Sequence, residues 1–260
     1  AYTGYLSFTD SRILPSYNWV GLENYERLWK LPHWWRAITN LAIFGSLYIL
    51  ICSVLGLLLA ILLDQKIRAE GLLRPIYLYP MALSFIVTGT AWKWFLDPGI
   101  GLEHTMHQWG WESFAFDWIK DRQMAIYTVV IAAVWQSSGF VMAMFLAGLR
   151  GVDSDIIKAA QIDGASAFTT YRRIIIPLMR PVFLSAFVVL AHLAIKAYDL
   201  VIALTGGGPG HATEVIASYM YKEAFGKFNF GYGSAIGFGL LIISMGTTWM
   251  IQKMLRTNKE

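Results

Sequence analysis

Three stretches of the chain run without a charged residue for longer than a bilayer crossing needs, about 20 residues as a helix. Ala37–Leu63 and Gln123–Leu149 each extend over 27 residues and Phe228–Gln252 over 25. Pro75–Trp92 is uncharged over 18 residues and carries Pro75 and Pro80 near its start, a pattern for a kinked or late-starting helix. Pro181–Leu204 is apolar except for His192, Lys196 and Asp199. The pattern predicts an all-α polytopic membrane protein with five complete transmembrane helices, at about 37–63, 73–95, 123–149, 181–204 and 232–252. Ala1–Phe8 reads as the end of a further, first span cut short by the start of the chain. All of this fits one transmembrane domain over 1–260.

Composition strengthens that expectation. The chain is 56% hydrophobic and only 15% charged, whereas a soluble domain carries about a quarter charged residues. So many apolar residues exceed what one water-soluble globule hides. The single cysteine, Cys52, excludes an intramolecular disulfide and any multi-cysteine metal site. The formal charge of +4 requires no nucleic acid, because basic residues of membrane proteins gather on the cytoplasmic side. Eleven of them lie in 64–74, 150–180 and 252–260, against eight in the longer set 1–36, 96–122 and 205–227. The denser set is therefore expected inside, with the C-terminus cytoplasmic. Trp34, Trp35, Trp92, Trp94 and Trp118 then fall near the outer boundaries, where indoles favour the headgroup region or pack against neighbours.

The outer connections are not plain short loops. Segment 96–122 opens with Leu96-Asp97-Pro98-Gly99-Ile100-Gly101 and runs into an amphipathic stretch around His107–Trp118. Segment 205–227 opens with Thr205-Gly206-Gly207-Gly208-Pro209-Gly210 and predicts a surface helix through Tyr219–Phe225. Its glycines favour turns and unusual backbone angles. No Gly-x-x-x-x-Gly-Lys-Ser/Thr occurs anywhere, so this chain carries no usual ATP-binding phosphate loop. No hydrolytic constellation is visible. His104 and His107 are three apart but lack a third ligand, so they and His211 read as surface histidines and no metal is expected.

The inner connection 153–181 holds the most information. It reads as two short amphipathic helices with a tight break. Asp153 or Ser154 caps the first, Gly164 supplies the positive φ at which it stops, and Asp163 or Ser166 caps the second. Pro177 and Pro181 mark its end before the next span. The segment resembles the cytoplasmic loop of binding-protein-dependent ATP-binding-cassette (ABC) importers, whose pattern is Glu-Ala-Ala, two residues, Asp-Gly-Ala, then an apolar run ending in proline. Here it stands as Lys158-Ala159-Ala160-Gln161-Ile162-Asp163-Gly164-Ala165, with Ile174-Ile175-Ile176-Pro177 downstream. One departure is Lys158 in place of the usual glutamate, with Asp155 about one turn earlier as a substitute acid.

Other stretches resemble the carbohydrate-uptake branch of that family: Val20-Gly21-Leu22-Glu23-Asn24-Tyr25, Trp92–Pro98 and Leu204–Gly210. Tyr79-Pro80-Met81-Ala82-Leu83-Ser84 and Ala132–Phe140 are similar to glucose- or mannose-type permeases. The resemblance implies a type I importer permease in the bacterial cytoplasmic membrane, not itself an enzyme. It implies a second, non-identical permease chain, two ABC ATPase subunits that bind ATP and magnesium, an extracytoplasmic sugar-binding protein, and no cofactor on this chain. The coupling loop would be carried by Lys158, Ala159, Ala160, Asp163, Gly164, Ala165 and Pro177. Spacings of four and three place His192, Lys196 and Asp199 on one face of a continuous helix, with Lys196 and Asp199 able to pair. Opposite Gln136, Ser137 and Phe140 they would line a sugar path. The same three ionisable residues leave a rival open, an ion-gradient-driven transporter with a proton relay.

Overall fold

The computed structural model describes residues 2–13, 17–65 and 70–257, with side chains of 250–252 and 254–257 outside the description. Among the described residues all regular secondary structure is helical, apart from one isolated bridge between Thr9 and Trp19. In order the helices are α1 (Tyr2–Leu6), α2 (Glu23–Lys30), α3 (Pro32–Asp64), α4 (Glu70–Leu78), α5 (Phe85–Phe95), α6 (Leu102–Gln108) and α7 (Ala125–Arg150). They continue as α8 (Ser154–Ile162), α9 (Ala167–Thr170), α10 (Ile176–Leu178), α11 (Arg180–Ile195), α12 (Asp199–Thr205), α13 (Ile216–Tyr221) and α14 (Phe230–Thr257). Helices α3, α7 and α14 are long and apolar enough to span a membrane unaided. Two broken pairs, Glu70–Ala82 with Phe85–Phe95 and Ala167–Leu178 with Arg180–Ile195, bring the total to five if each counts as one span.

The fourth span differs from its expectation. Instead of one helix over 181–204, α11 stops at Ile195 and α12 starts at Asp199. The ladder shortens on the way, Ala197 N–H reaching back only to Ala194 and Tyr198 N–H only to Lys196. Neither proline nor glycine marks that break.

The chain divides into two compact units, one of Ala1–Leu47, Ser84–Ala132 and His192–Glu260, the other of Tyr48–Leu83 and Ala133–Ala191. The first is built on an apolar cluster in which Leu28, Trp34 and Ala37 meet Ile216, Tyr219, Tyr232 and Ile236. Trp34, expected at a membrane boundary, is 2% exposed and belongs to this core, whereas Trp35 and Trp94 are exposed. The Val20–Tyr25 string pins the N-terminal segment: the Asn24 amide donates to the carbonyls of Ser7 and Thr9, at 3.0 and 2.9 Å, and the Tyr25 hydroxyl lies 2.7 Å from Ser7 Oγ.

The second unit is organised by the close approach of α7 to the break after α4. Pro75 is tolerated inside α4, and the helix gives way only at Tyr79–Ala82, a tighter 3-10 turn containing Pro80. The Leu83 carbonyl beyond that turn accepts from Gln136 Nε2 of α7 at 2.8 Å. Nearby, a Cβ at Gly139 would sit 1.8 Å from the Tyr77 carbonyl oxygen, so only a residue without a side chain permits this crossing. Tyr48 of α3 donates its hydroxyl to Ser137 Oγ at 2.7 Å, and Phe145 packs on Phe183 with ring centroids 4.5 Å apart. At the end of α7, Arg150 reaches Glu70 at 2.8 Å and Asp64 at 3.6 Å.

That crossing gives a first expectation. Gly139→Ala forces a methyl group against the Tyr77 backbone, which cannot swing away, so it should destabilise the protein by about 3 kcal/mol or more, the upper end of overpacking costs. Gly246→Ala, with open space around it inside α14, should leave stability unchanged or raise it by up to about 1 kcal/mol. Thermal unfolding of the purified full chain, followed by size-exclusion recovery, compares the two; equal midpoints would refute the packing assigned to Gly139.

Candidate functional site

The connection between α7 and α11 folds largely as its residues dictate. Asp153 caps α8, its carboxylate accepting from the Asp155 N–H at 2.9 Å. Gly164 stops the helix at φ +77° with nothing within 4 Å of where a Cβ would stand, so its requirement is conformational and not steric. Ser166 caps α9, accepting from Thr169 N–H at 3.3 Å. Pro177 marks the end of the second helix, as expected, from within its last turn. It lies inside α10, and a wide π-type turn over Tyr171–Ile175 precedes it. That wider turn accommodates the missing N–H and the bulk of the ring up to Leu178, where the helix ends. The chain bends by 65° only at Met179, and Pro181 sits in the first turn of α11, where a missing donor costs little.

The loop presents Ile156, Ile162 and Phe168 to the outside, 43%, 86% and 72% exposed, while Ala160 is buried beneath. Lys158 pairs with Asp155 at 2.9 Å. Both side chains are well exposed, so the pair stabilises the loop by at most about 1 kcal/mol. Ala159, Asp163 and Gly164 are exposed and Ala165 is partly so.

The residues expected along a sugar path are placed unevenly. Gln136 and Ser137 are 4% exposed and already hydrogen-bonded, to the Leu83 carbonyl and to Tyr48, while Phe140 is half-buried. His192, Lys196 and Asp199 are all exposed but do not share one continuous helix: His192 lies in α11, Lys196 in the break, and Asp199 opens α12. Among the described residues Lys196 and Asp199 form no ion pair with each other. Sequence reasoning missed the aromatic run beside them. Tyr198 packs on Tyr221 at 4.9 Å between centroids and Tyr221 on Phe225 at 5.2 Å, with Tyr221 and Phe225 about half exposed.

The glycine-rich connection also takes shape. Gly206, Gly207 and Gly210 all adopt positive φ. The loop ends on Glu214, whose carboxylate is 2% exposed and lies 2.9 Å from Lys222 Nζ. The following segment is helical, as expected, with Tyr221 and Phe225 exposed, but Tyr219 and Glu223 are buried on its other side and Tyr219 meets the Tyr232 hydroxyl at 2.9 Å. Burial, followed by that hydrogen bond, pushes the Tyr219 phenol far above its ordinary range, so it stays neutral. Beyond α6 the 109–124 stretch is irregular, steadied by a Phe116–Trp118 stack at 4.7 Å. There His107 Nε2 is taken by the Phe114 carbonyl at 2.7 Å and His104 by Gln108 at 3.0 Å.

This arrangement has close counterparts. The family model described as "binding-protein-dependent transport system inner membrane component" matches residues 52–256. A probable ABC transporter permease protein of Pyrococcus horikoshii is 44% identical over 243 residues, covering 93% of this chain and 83% of the relative. The xylose/arabinose import permease protein XacH of Haloferax volcanii is 38% identical over 251 residues, covering 94% and 78%. The trehalose/maltose transport system permease protein MalF of Thermococcus litoralis is 30% identical over 251 residues, covering 96% and 84%. In fold, the chain is similar to a crystal structure of a bacterial ABC transporter involved in importing the acidic polysaccharide alginate, with a TM-score of 0.83 at 19% identity over 93% of this chain and 85% of that one. Hydrolytic machinery and a cofactor have no place on such a subunit. The capped, Asp-Gly-Ala-centred loop between membrane helices and the match across most of its length agree: the chain belongs to the family of binding-protein-dependent transport system inner membrane components, as a multi-pass, non-catalytic permease subunit of an ABC transporter.

Proposed function

We propose that this chain forms part of the translocation pathway of an ATP-driven importer for a small carbohydrate, of glucose or mannose type. One observation carries the coupling half of the reading. The 153–178 segment is a capped pair of short helices that leaves Ile162 and Phe168 exposed, the form of a surface that docks into a groove on another protein. In this reading its partners are two ATPase subunits, which hold ATP and magnesium, a second permease chain and an extracytoplasmic sugar-binding protein. The loop and the C-terminus face the cytoplasm, on the side where basic residues concentrate. Lys158 and Asp155 together replace the single acid usual at this point.

The sugar half rests on chemistry. Relatives at 30–38% identity are named for xylose/arabinose and trehalose/maltose. The exposed His192, Lys196 and Asp199 offer donors and acceptors beside the aromatic faces of Tyr198, Tyr221 and Phe225. Hydroxyl-rich ligands with apolar patches suit such a mixed surface. Gln136 and Ser137 contribute by holding the break at Leu83 and the α3–α7 contact. Both strings that resemble glucose- or mannose-type permeases, 79–84 and 132–140, meet in that same contact and so have a structural use as well. The relay needed by an ion-driven transporter is weakened by the helix break between His192 and Asp199.

Coupling is tested at Gly164. Gly164→Val should leave an assembled complex that still contains its ATPase but loses sugar- and binding-protein-stimulated ATP hydrolysis, because a β-branched residue resists positive φ. Gly164→Asn, which tolerates that conformation, should retain most of it. Normal transport by the valine variant, or equal loss in both, would sink the docking-loop reading.

Orientation is tested by labelling. With Cys52 replaced by alanine, single cysteines at exposed Ser113 and Ser154 are treated in intact cells with an impermeant maleimide. Modification is expected at 113 only; modification at 154 would reverse the topology.

A further inference from the structure

We propose that His33, His211 and Glu214 form a binding site for a divalent ion of the zinc class. The ligand-capable atoms of these three side chains lie within 4.8 Å of one another, and the two imidazole rings are 4.6 Å apart between centroids. Two imidazoles and a carboxylate are a donor set for zinc, copper or nickel, and a poor one for calcium or magnesium. On a tetrahedral ion with bonds of about 2.0–2.2 Å, ligand atoms stand roughly 3.4 Å apart. The exposed His33 side chain closes that difference by rotation, leaving a fourth position for water.

The other two ligands are already held in place. Asn40 Nδ2 donates to the carbonyls of His211 and Glu214, at 3.2 and 2.9 Å, fixing the loop. His211 itself sits at φ +70°, a conformation uncommon for a residue with a side chain and one that clusters at functional sites. Lys222 Nζ stands against Glu214 Oε1, which turns Oε2 toward His211 Nδ1 at 2.5 Å. An ion entering between Nδ1 and Oε2 takes the place of the proton they share, and His211 then carries its proton on Nε2. The Lys222 charge opposes a second cation, so the site is weaker than one with anionic ligands alone. The neighbouring cavity, lined by Arg36 and Arg122, favours anions, and the ion therefore approaches from the exposed side of His33.

Such an ion would tie the first turn of α3 to the glycine-rich connection. It is no cofactor of transport, and the site depends on these side chains alone, independent of the sugar reading. The purified full chain in lipid nanodiscs should bind one zinc ion per chain, measured by competition with a chromogenic chelator. Cobalt in its place should give the visible absorption of a tetrahedral site. His33→Ala and His211→Ala should each weaken zinc binding by about tenfold or more, while His107→Ala leaves it unchanged. Glu214 is buried and ion-paired, so its removal risks the fold and the two histidine variants decide. Absence of stoichiometric binding, or binding undiminished in the His33→Ala/His211→Ala double variant, would overturn the site.

Discussion

A membrane interior supplies no water to a broken helix, so every backbone group released at a break must find a partner inside the protein. The contact between the α4 break and α7 is organised around that demand. Pro80 and the 3-10 turn at Tyr79–Ala82 free carbonyls that an unbroken helix would have used. The Gln136 amide supplies a donor to Leu83, and Gly139 lets the backbone of α7 come close enough for it to reach. A polar residue in an apolar helix therefore answers a structural requirement before any ligand is considered.

Much of this was legible in the residues themselves, for local reasons. Long uncharged runs became α3, α7 and α14, because twenty or more apolar residues leave a membrane helix little alternative. Asp153, Gly164 and Ser166 do what their chemistry does in any chain: accept from free N–H groups or take positive φ. The family resemblance rested on Lys158–Ala165 and Ile174–Pro177, and the family model matches across residues 52–256.

What stayed hidden depends on distant packing. Nothing in Ile195-Lys196-Ala197-Tyr198 announces a helix break, and the residues after it are as apolar as those before. Nothing in Tyr171–Ile175 announces the wide turn that precedes Pro177. Trp34 looks like an interfacial anchor until α13 and α14 close over it. The hydrogen bond from Gln136 to the carbonyl at Leu83 joins residues 53 positions apart, which no local pattern announces. His33 and His211 are far apart in sequence, and no spacing rule joins them.

The bend at Met179 has a mechanical meaning. Helical rods resist stretching, and Met179 is the single residue between the Ala167–Leu178 rod and α11 that leaves helical angles, at φ −80° and ψ 0°. Its side chain is 1% exposed and seated against Gly148 of α7, where a Cβ would come within 3.2 Å of the methionine methyl. A push on the loop tip cannot be taken up as extension. In the docking reading proposed above it would become torque about a buried fulcrum, with the loop as the short arm of a lever on α11.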